Sequence, residues 1–253
     1  MNKPAKARVR QSFERAAATY DSAAEVQRRI CHTLLDAVPT TTAQRVLDAG
    51  CGTGYALPLL RRRFAAADLL ALDLSAAMLQ RIACPCTRLV GDLERLPLPA
   101  ASLDLHWSSL AVQWCDLPAV LGEARRTLCR DGWLALASLG PETFKELRHA
   151  FAGVDAYRHT LVFHTPEEIR AMAEAAGFAE VSVRQVTETA FYPDFRSLLK
   201  AVKAVGANQV GDGRRTSLMS RAAFARAEAA AETLRSPAGL PLTYDVIYLL
   251  ARK

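Results

Sequence analysis

The chain has 253 residues, of which 51% are hydrophobic and 23% charged, and its formal net charge is +6. This composition is typical of a folded globular protein and excludes a disordered or fibrous chain. No apolar run approaches the roughly 18 residues that a membrane-spanning helix needs, and the N-terminal sequence MNKPAKARVR lacks the apolar centre of a signal peptide. We therefore expect a single domain over residues 1–253, without membrane association and located in the cytoplasm.

The positive charge is unevenly distributed. Residues 1–30 carry a net charge of +4 and residues 196–235 a net charge of +5, whereas the remainder carries −3. Such basic segments either form solvated helix faces or bind an acidic macromolecule. Nucleic acid is not favoured as that partner, because the sequence contains no recognised nucleic-acid-binding motif and no basic stripe interleaved with aromatic residues.

The cysteine and histidine spacings argue against a metal site. Of six cysteines only Cys84 and Cys86 are close in sequence, and this pair lacks the second half of a zinc site. His159 and His164 likewise have no second pair of ligands at metal spacing. We expect buried thiols in a reducing compartment and no bound metal.

Residues 6–38 are predicted to be helical, with a break inside the sequence ATYDSAAEVQ. Asp21 or Ser22 can cap a second helix there, and Tyr20 lies at the break. Tyr20 is either a lid residue that touches a ligand or an ordinary half-buried aromatic residue, and the sequence leaves both open.

From Arg45 onward short apolar runs alternate with amphipathic ones. Strands are predicted near residues 45–49, 69–73, 87–91, 103–107, 132–138, 179–191 and 242–251, with helices between the first five near residues 54–64, 75–83 and 117–129. This alternation indicates a mostly parallel sheet with helices on both faces. Ligands of such sheets bind at the carboxyl ends of the strands.

The sequence RVLDAGCGTGY, residues 45–55, predicts a buried strand, a glycine turn and the start of a helix. Its glycines are spaced GxGxG, whereas the dinucleotide fingerprint is GxGxxG. Asp48, Asp73 and Asp92 each follow or end a predicted strand beside this turn. Three acids suit a nucleoside that has no phosphate and carries positive charge, as S-adenosylmethionine does, with Asp73 accepting the ribose hydroxyls. The alternative is a structural strand–turn–helix in another Rossmann-like domain.

The fourth strand runs into Ser108, Gln113 and Trp114 at the same predicted edge. Trp114 either walls the pocket in which the methyl group is presented or packs under the following helix. About fifty residues separate the last two strands, with predicted helices over 194–205 and 219–234, so a basic insertion is expected over the ligand edge of the sheet.

Several stretches resemble a known family. LDAGCGTG, LDLS and GDLERLPLP resemble the class I S-adenosylmethionine-dependent methyltransferases. FERAAATYDSAAEVQ, WSSLAVQWC, SLGPETFKELRHAFAGVDAYRHTLVF, and SLLKAVKAVGANQVGDGRR followed by PLTYDV resemble, more narrowly, the malonyl-acyl-carrier-protein O-methyltransferases of biotin synthesis. The resemblance implies a Rossmann-like α/β fold with a seven-stranded sheet. Its expected parts are a core (residues 45–192 and 242–253), an N-terminal helical lid (6–38) and a helical insertion (194–235).

The resemblance also implies a set of cofactor-binding residues. The expected contacts to S-adenosylmethionine are Asp48, Gly50, Gly52, Gly54, Asp73, Leu74, Met78, Asp92, Leu93 and Ser108. Within this set the glycines approach the methionine part, Asp73 holds the ribose, and Asp92 with Leu93 recognises adenine. The product is S-adenosylhomocysteine.

The implied activity is methylation of the free carboxylate of a malonyl group carried by acyl carrier protein or coenzyme A. A carboxylate is ionised at neutral pH, since its reference pKa is about 4, so no general base is expected. Tyr20 and His159 are the candidates for orienting it. Trp114, Arg196, Lys200 and Lys203 are expected to face the substrate or the acidic carrier protein.

One departure from the family is visible, because Cys129, Arg130 and Asp131 replace a common Lys-Pro-Gly turn. This change is expected to affect loop geometry alone. Two rival functions remain at this point: methylation of a small molecule such as a quinone precursor or fatty acid, and a non-catalytic assembly factor that binds S-adenosylmethionine. The sequence does not predict the oligomeric state.

Overall fold

The computed structural model describes residues 4–204 and 219–253. Seven strands form one sheet in the order β3–β2–β1–β4–β5–β7–β6. The strands are β1 Arg45–Ala49, β2 Asp68–Asp73, β3 Thr87–Val90, β4 Leu103–Ser109, β5 Leu128–Leu139, β6 Ala179–Tyr192 and β7 Leu240–Arg252. Strands β1 to β5 pair in parallel, and β7 pairs antiparallel with β5 and β6. The predicted mostly parallel seven-stranded sheet is confirmed.

Ten helices in the described ranges surround the sheet. They are α1 Lys6–Ala16, α2 Tyr20–Ala23, α3 Glu25–Ala37, α4 Ala56–Arg63, α5 Ala76–Leu79, α6 Leu117–Thr127, α7 Lys145–Phe151, α8 Pro166–Ala175, α9 Phe195–Ala204 and α10 Arg221–Glu232. Helices cover both faces, because one buried cluster joins the sheet to α3, α4, α7, α9 and α10, and a second joins it to α6 and α8. Leu34 and Trp107 are fully buried in the first cluster, as are Leu47 and Leu121 in the second.

Some predicted boundaries were wrong. The expected helix near 75–83 ends at Leu79, and the N-terminal helical region is divided into three helices. Asp21 and Ser22 both lie within α2, and the residue at the N-cap position of α3 is Ala24. The side chain of Asp21 instead accepts a hydrogen bond from Thr53 Oγ1 in the glycine turn, at 2.7 Å.

The residues that depart from the family turn, 129–131, lie within a strand. These residues belong to β5, which begins at Leu128, and Asp131 adopts a φ of 65° within it. The Asp131 carboxylate lies 2.8 Å from the Arg252 guanidinium of β7. Asp131 thus forms an ion pair between β5 and β7.

Between β6 and β7 the described insertion consists of α9 and α10. Fully buried Phe195 of α9 packs against Phe151 of α7 and Phe224 of α10. The part of the family resemblance that reads GDGRR, residues 211–215, lies outside the described residues. Within the described ranges no helix is long and apolar enough to cross a membrane.

Candidate functional site

A cavity opens at the carboxyl ends of β1, β2 and β4, and α1 to α3 cover it. Its empty volume is about 1090 Å³, which includes part of its mouth. Of the predicted cofactor residues, eight line it: Asp48, Gly50, Gly52, Asp73, Leu74, Met78, Asp92 and Leu93. The structure thus brings together side chains that are up to 45 residues apart in sequence, at the edge where parallel sheets bind ligands.

The glycine turn presents its backbone to this cavity. Gly50 has a φ of 76° and its N–H donates to Leu72 O at 2.7 Å, which ties the turn to β2. Gly52 has a φ of 54°, and a Cβ added there would meet no atom of the described chain within 4 Å. Because Gly52 lines the cavity, that Cβ would take up ligand space.

Two carboxylates lie behind the turn. Asp73 accepts the N–H of Gly52 at 2.9 Å and of Ser75 at 2.8 Å. Asp48 is 2% exposed, and no described residue donates a hydrogen bond to its Oδ2 atom. Burial, followed by the nearby charge of Asp73, raises the pKa of Asp48 to about 8. A positively charged ligand would offset this uncompensated burial.

Asp92 has a partner that the sequence did not predict. Lys6 of α1 forms an ion pair with Asp92, and its Nζ also lies 2.6 Å from Glu94 Oε2. The other Asp92 oxygen, Oδ1, accepts the N–H of Glu94 at 3.0 Å. These contacts hold the start of α1 across the cavity beside the end of β3.

Two predicted cofactor residues do not line the cavity. A Cβ on Gly54 would lie 2.9 Å from Ile82 and 3.0 Å from Leu57, so this glycine permits close packing inside the protein. Ser108 is fully buried and donates to Ala49 O at 2.6 Å, which joins β4 to β1. Its neighbour Ser109 lines the cavity instead.

A second cavity adjoins the first. Five residues line both: Phe13, Tyr20, Gln27, Leu110 and Trp114. The Phe13 ring meets the Trp114 ring edge-on, with centroids 5.8 Å apart, and lies 6.4 Å from the Tyr20 ring. Removal from water, with the charges of Asp73 and Asp21, raises the pKa of Tyr20 to about 12, so its hydroxyl stays protonated at neutral pH. Tyr20 and Trp114 are therefore wall residues between two spaces.

His159 lies outside the lining of both cavities. Its Nε2 is 2.9 Å from Asp155 Oδ1, and its ring stacks on Phe151 with centroids 3.7 Å apart. Neither cavity is lined by His159, although the next residue, Thr160, lines the second. The structure does not bring His159 together with Tyr20, because the imidazole is held in the packing between α7 and the following loop.

The predicted basic residues of the insertion share one face of α9. Arg196, Lys200 and Lys203 are exposed, whereas Phe195, Leu198 and Val202 of the same helix are buried. The Arg196 guanidinium lies 4.6 Å from the centre of the Phe224 ring. We call Arg196, Lys200 and Lys203 the basic face.

Sequence reasoning missed Arg28, which lines the first cavity. Its guanidinium donates to Asp21 O at 2.7 Å and lies 5.1 Å from the centre of the Tyr55 ring, while no described residue accepts from its buried Nε. The sequence contains no local signal for this contact, because Asp21 lies in α2 and Arg28 in α3.

Comparison with known proteins agrees with this geometry. Residues 47–136 match the family model described as a methyltransferase domain. The chain is 65% identical to the malonyl-[acyl-carrier protein] O-methyltransferase of Dechloromonas aromatica, over 99% of this chain and 96% of that protein. The chain belongs to the malonyl-[acyl-carrier protein] O-methyltransferase family. Membership confirms the predicted resemblance and the predicted cofactor, S-adenosylmethionine.

Other relatives extend the comparison. A malonyl-[acyl-carrier protein] O-methyltransferase of Laribacter hongkongensis is 44% identical over 96% of this chain and 88% of that protein. The crystal structure of the YcgJ protein from Bacillus subtilis has a TM-score of 0.62 at 17% identity, over 89% of this chain and 98% of that chain. The second likeness shows a common fold alone. The lining of the first cavity fits S-adenosylmethionine, because a positively charged ligand would interact favourably with the buried carboxylate of Asp48.

Proposed function

We propose that this protein transfers a methyl group from S-adenosylmethionine to the free carboxylate of a malonyl group on acyl carrier protein, or on coenzyme A. The product would be the malonyl methyl ester with which biotin synthesis begins. The observation that carries the proposal is the 65% identity to a relative named for this activity, over nearly the whole of both chains. Two adjoining cavities, one suited to a cationic nucleoside, support it.

For the cofactor, we infer that Gly50 and Gly52 bind the methionine part through their backbone and that Asp73 binds the ribose. Asp92 and Leu93 would recognise adenine, with Leu74 and Met78 supplying apolar contact. Asp48 would interact with the positive charge of the ligand, and Arg28 would face the ligand carboxylate. These roles are supported by the position of all these residues in the lining of one cavity.

The methyl transfer requires no acid or base catalysis by a side chain. When bound, S-adenosylmethionine supplies a methyl group attached to a positively charged sulfur. The acceptor carboxylate is already ionised, so no residue needs to remove a proton. The Tyr20 hydroxyl would donate a hydrogen bond to this carboxylate. Phe13 and Trp114 would exclude water at the junction of the two cavities. Catalysis would then rest on alignment and desolvation.

We infer that the basic face of α9 meets the acidic carrier protein. Complementary charge speeds the encounter of two proteins and is weakened by salt. The exposure of Arg196, Lys200 and Lys203 on one helix face supports this inference. All six cysteines are free thiols, which is consistent with a reducing compartment, and we infer that the reaction takes place in the cytoplasm.

The proposed function is tested by following S-adenosylhomocysteine formation. The protein is mixed with S-adenosylmethionine and malonyl-acyl carrier protein, with acetyl-acyl carrier protein as the control that lacks a free carboxylate. Formation with the malonyl form alone supports the proposal. Equal rates with both forms, or none with either, would overturn it.

A further inference from the structure

The second cavity differs in chemistry from the first. The lining of the first cavity includes acidic and basic residues, among them Asp48, Asp73 and Arg28. In the described part of the chain the second is lined by neutral side chains: aromatic and aliphatic residues together with a few hydroxyls and amides. Its residues that are absent from the first cavity are Gln113, Leu139, Phe144, Thr160, Leu161, Phe163 and Tyr244.

Two polar residues of this cavity, Tyr20 and Gln27, lie at the junction with the first, because they line both cavities. The Tyr244 side chain lines the second cavity alone. Burial raises the pKa of Tyr244, so like Tyr20 it keeps its proton. The protonated Tyr20 hydroxyl at this junction suits an anionic group that must face the first cavity.

Two buried aromatic side chains form part of the remaining wall. Phe144 and Phe163 are 3% and 8% exposed, and both line the second cavity without lining the first. The Phe144 ring meets the Tyr244 ring edge-on, with centroids 5.0 Å apart, and the Phe144 N–H donates to Thr243 O at 2.7 Å.

The backbone of Phe144 is strained as well as anchored. Its φ is 57°, in the left-handed region that is unfavourable for a non-glycine residue. Such strain persists only where the surroundings hold the residue, and here Glu146 of the same segment also accepts the Thr243 N–H at 2.9 Å. A wall held in this way cannot easily yield to a larger ligand.

We propose that the second cavity binds the acyl group of the substrate, and that the rings of Phe144 and Phe163 restrict it to short, unbranched ω-carboxyacyl groups. This inference rests on the proposed function and deepens it. The terminal carboxylate lies at the junction near Tyr20, and the carbon chain passes between the two rings toward the thioester. An added methyl branch or methylene meets these rings.

The test compares carrier proteins loaded with malonyl, methylmalonyl or succinyl groups. Phe163→Ala opens the wall, and Phe163→Leu does so more mildly should the first variant fold poorly. Phe178→Ala is the matched control, because Phe178 is equally buried, at 6% exposed, but lies in the cluster on the opposite face of the sheet and lines neither cavity.

In the opened variants the ratio of kcat/KM for methylmalonyl to that for malonyl should rise about tenfold, and in Phe178→Ala less than about twofold, since each extra buried carbon contributes a few-fold in affinity. Equilibrium binding of the same three carrier proteins in the presence of S-adenosylhomocysteine should shift in the same way. Unchanged ratios in both Phe163 variants, with malonyl still methylated, would overturn the acyl assignment alone.

The binding measurement also separates this proposal from the proposed function. A wild-type protein that methylates no malonyl group would overturn the proposed function. The acyl assignment would fall with it if, in addition, the wild type bound malonyl- and methylmalonyl-carrier protein equally well.

Discussion

A Cβ atom added to Gly50 would lie only 2.2 Å from the Cβ of Ala111. Ala111 follows β4, so this contact sets the distance between the glycine turn after β1 and the loop after β4. Both residues line the first cavity. The absence of a side chain at Gly50 therefore shapes the site through packing, whereas at Gly52 it leaves space for a ligand.

Alanine substitutions should separate these two roles. Gly50→Ala combines a steric clash with a left-handed φ and should reduce the free energy of unfolding by more than about 2 kcal/mol. Gly52→Ala meets no described protein atom and should cost only the strain of about 1–2 kcal/mol, but should weaken S-adenosylmethionine binding about tenfold or more. Denaturant unfolding and calorimetry measure the two effects. Wild-type cofactor affinity in Gly52→Ala would remove that residue from the site.

Cofactor affinity should depend on pH through Asp48. Its pKa is raised from 3.8 to about 8 in the ligand-free protein, so between these values the folded chain holds a proton that the unfolded chain has lost. The contribution of Asp48 to stability therefore decreases as the pH rises through this window. A cationic ligand favours the carboxylate, so binding should release a proton and the affinity should increase with pH up to about 8.

Calorimetry in buffers of different ionisation enthalpy measures this proton release. Asp48→Asn is the matched control, because its amide has the same shape and does not titrate. It should bind S-adenosylmethionine more weakly and lose the proton release. Equal proton release by the variant and the wild type would assign the titration to another group.

The parts of this fold that depend on short local patterns were predictable. Apolar runs predicted the strands, and the strand ends predicted the positions of Asp48 and Asp73. Local pattern could not tell which of two neighbouring serines faces the cavity: Ser108 points into the sheet, and Ser109 lines the cavity.

Local sequence patterns could not predict contacts between segments that are distant in the chain. Lys6 and Asp92 are 86 residues apart in sequence, and their pairing depends on how α1 crosses the sheet edge. His159 was predicted from its neighbours in the chain, yet its ring turns toward Phe151 while Thr160 lines the second cavity. Packing sets the direction of a side chain in such a loop, and the hydrophobic periodicity of the sequence does not predict it.

Removing the Tyr20 hydroxyl should lower catalysis more than cofactor binding. A hydrogen bond to a charged group contributes about 1.5–3 kcal/mol, so Tyr20→Phe should lower kcat/KM for malonyl-acyl carrier protein by about 10- to 100-fold. The dissociation constant for S-adenosylmethionine should change by less than about threefold, because the ring remains. An unchanged kcat/KM in this variant would contradict a role of the Tyr20 hydroxyl in catalysis.

His159→Ala should give a different result, in which the melting temperature falls because the stacking on Phe151 and the contact with Asp155 are lost. A loss of kcat/KM equal to that of Tyr20→Phe, at an unchanged melting temperature, would instead put His159 at the acceptor.

Reversing charge on the basic face should impair use of the protein-bound substrate. Lys200→Glu with Lys203→Glu should raise KM for malonyl-acyl carrier protein about tenfold at low salt, and that for malonyl-pantetheine less than about twofold. The difference should shrink as salt is added. Arg62→Glu with Arg130→Glu is the control, since both are exposed and lie outside the insertion, Arg62 in α4 and Arg130 in β5. Equal changes in both double variants would contradict docking on α9.

Intact-mass spectrometry of malonyl-acyl carrier protein tests the central claim most directly. The carrier protein is incubated with this protein and S-adenosylmethionine, beside an acetyl-loaded control. The account predicts a gain of one methyl group on the malonyl form, located on the acyl group and absent from the acetyl form. An unchanged mass, with S-adenosylmethionine binding demonstrated on the same sample, would contradict carboxyl methylation of the malonyl group.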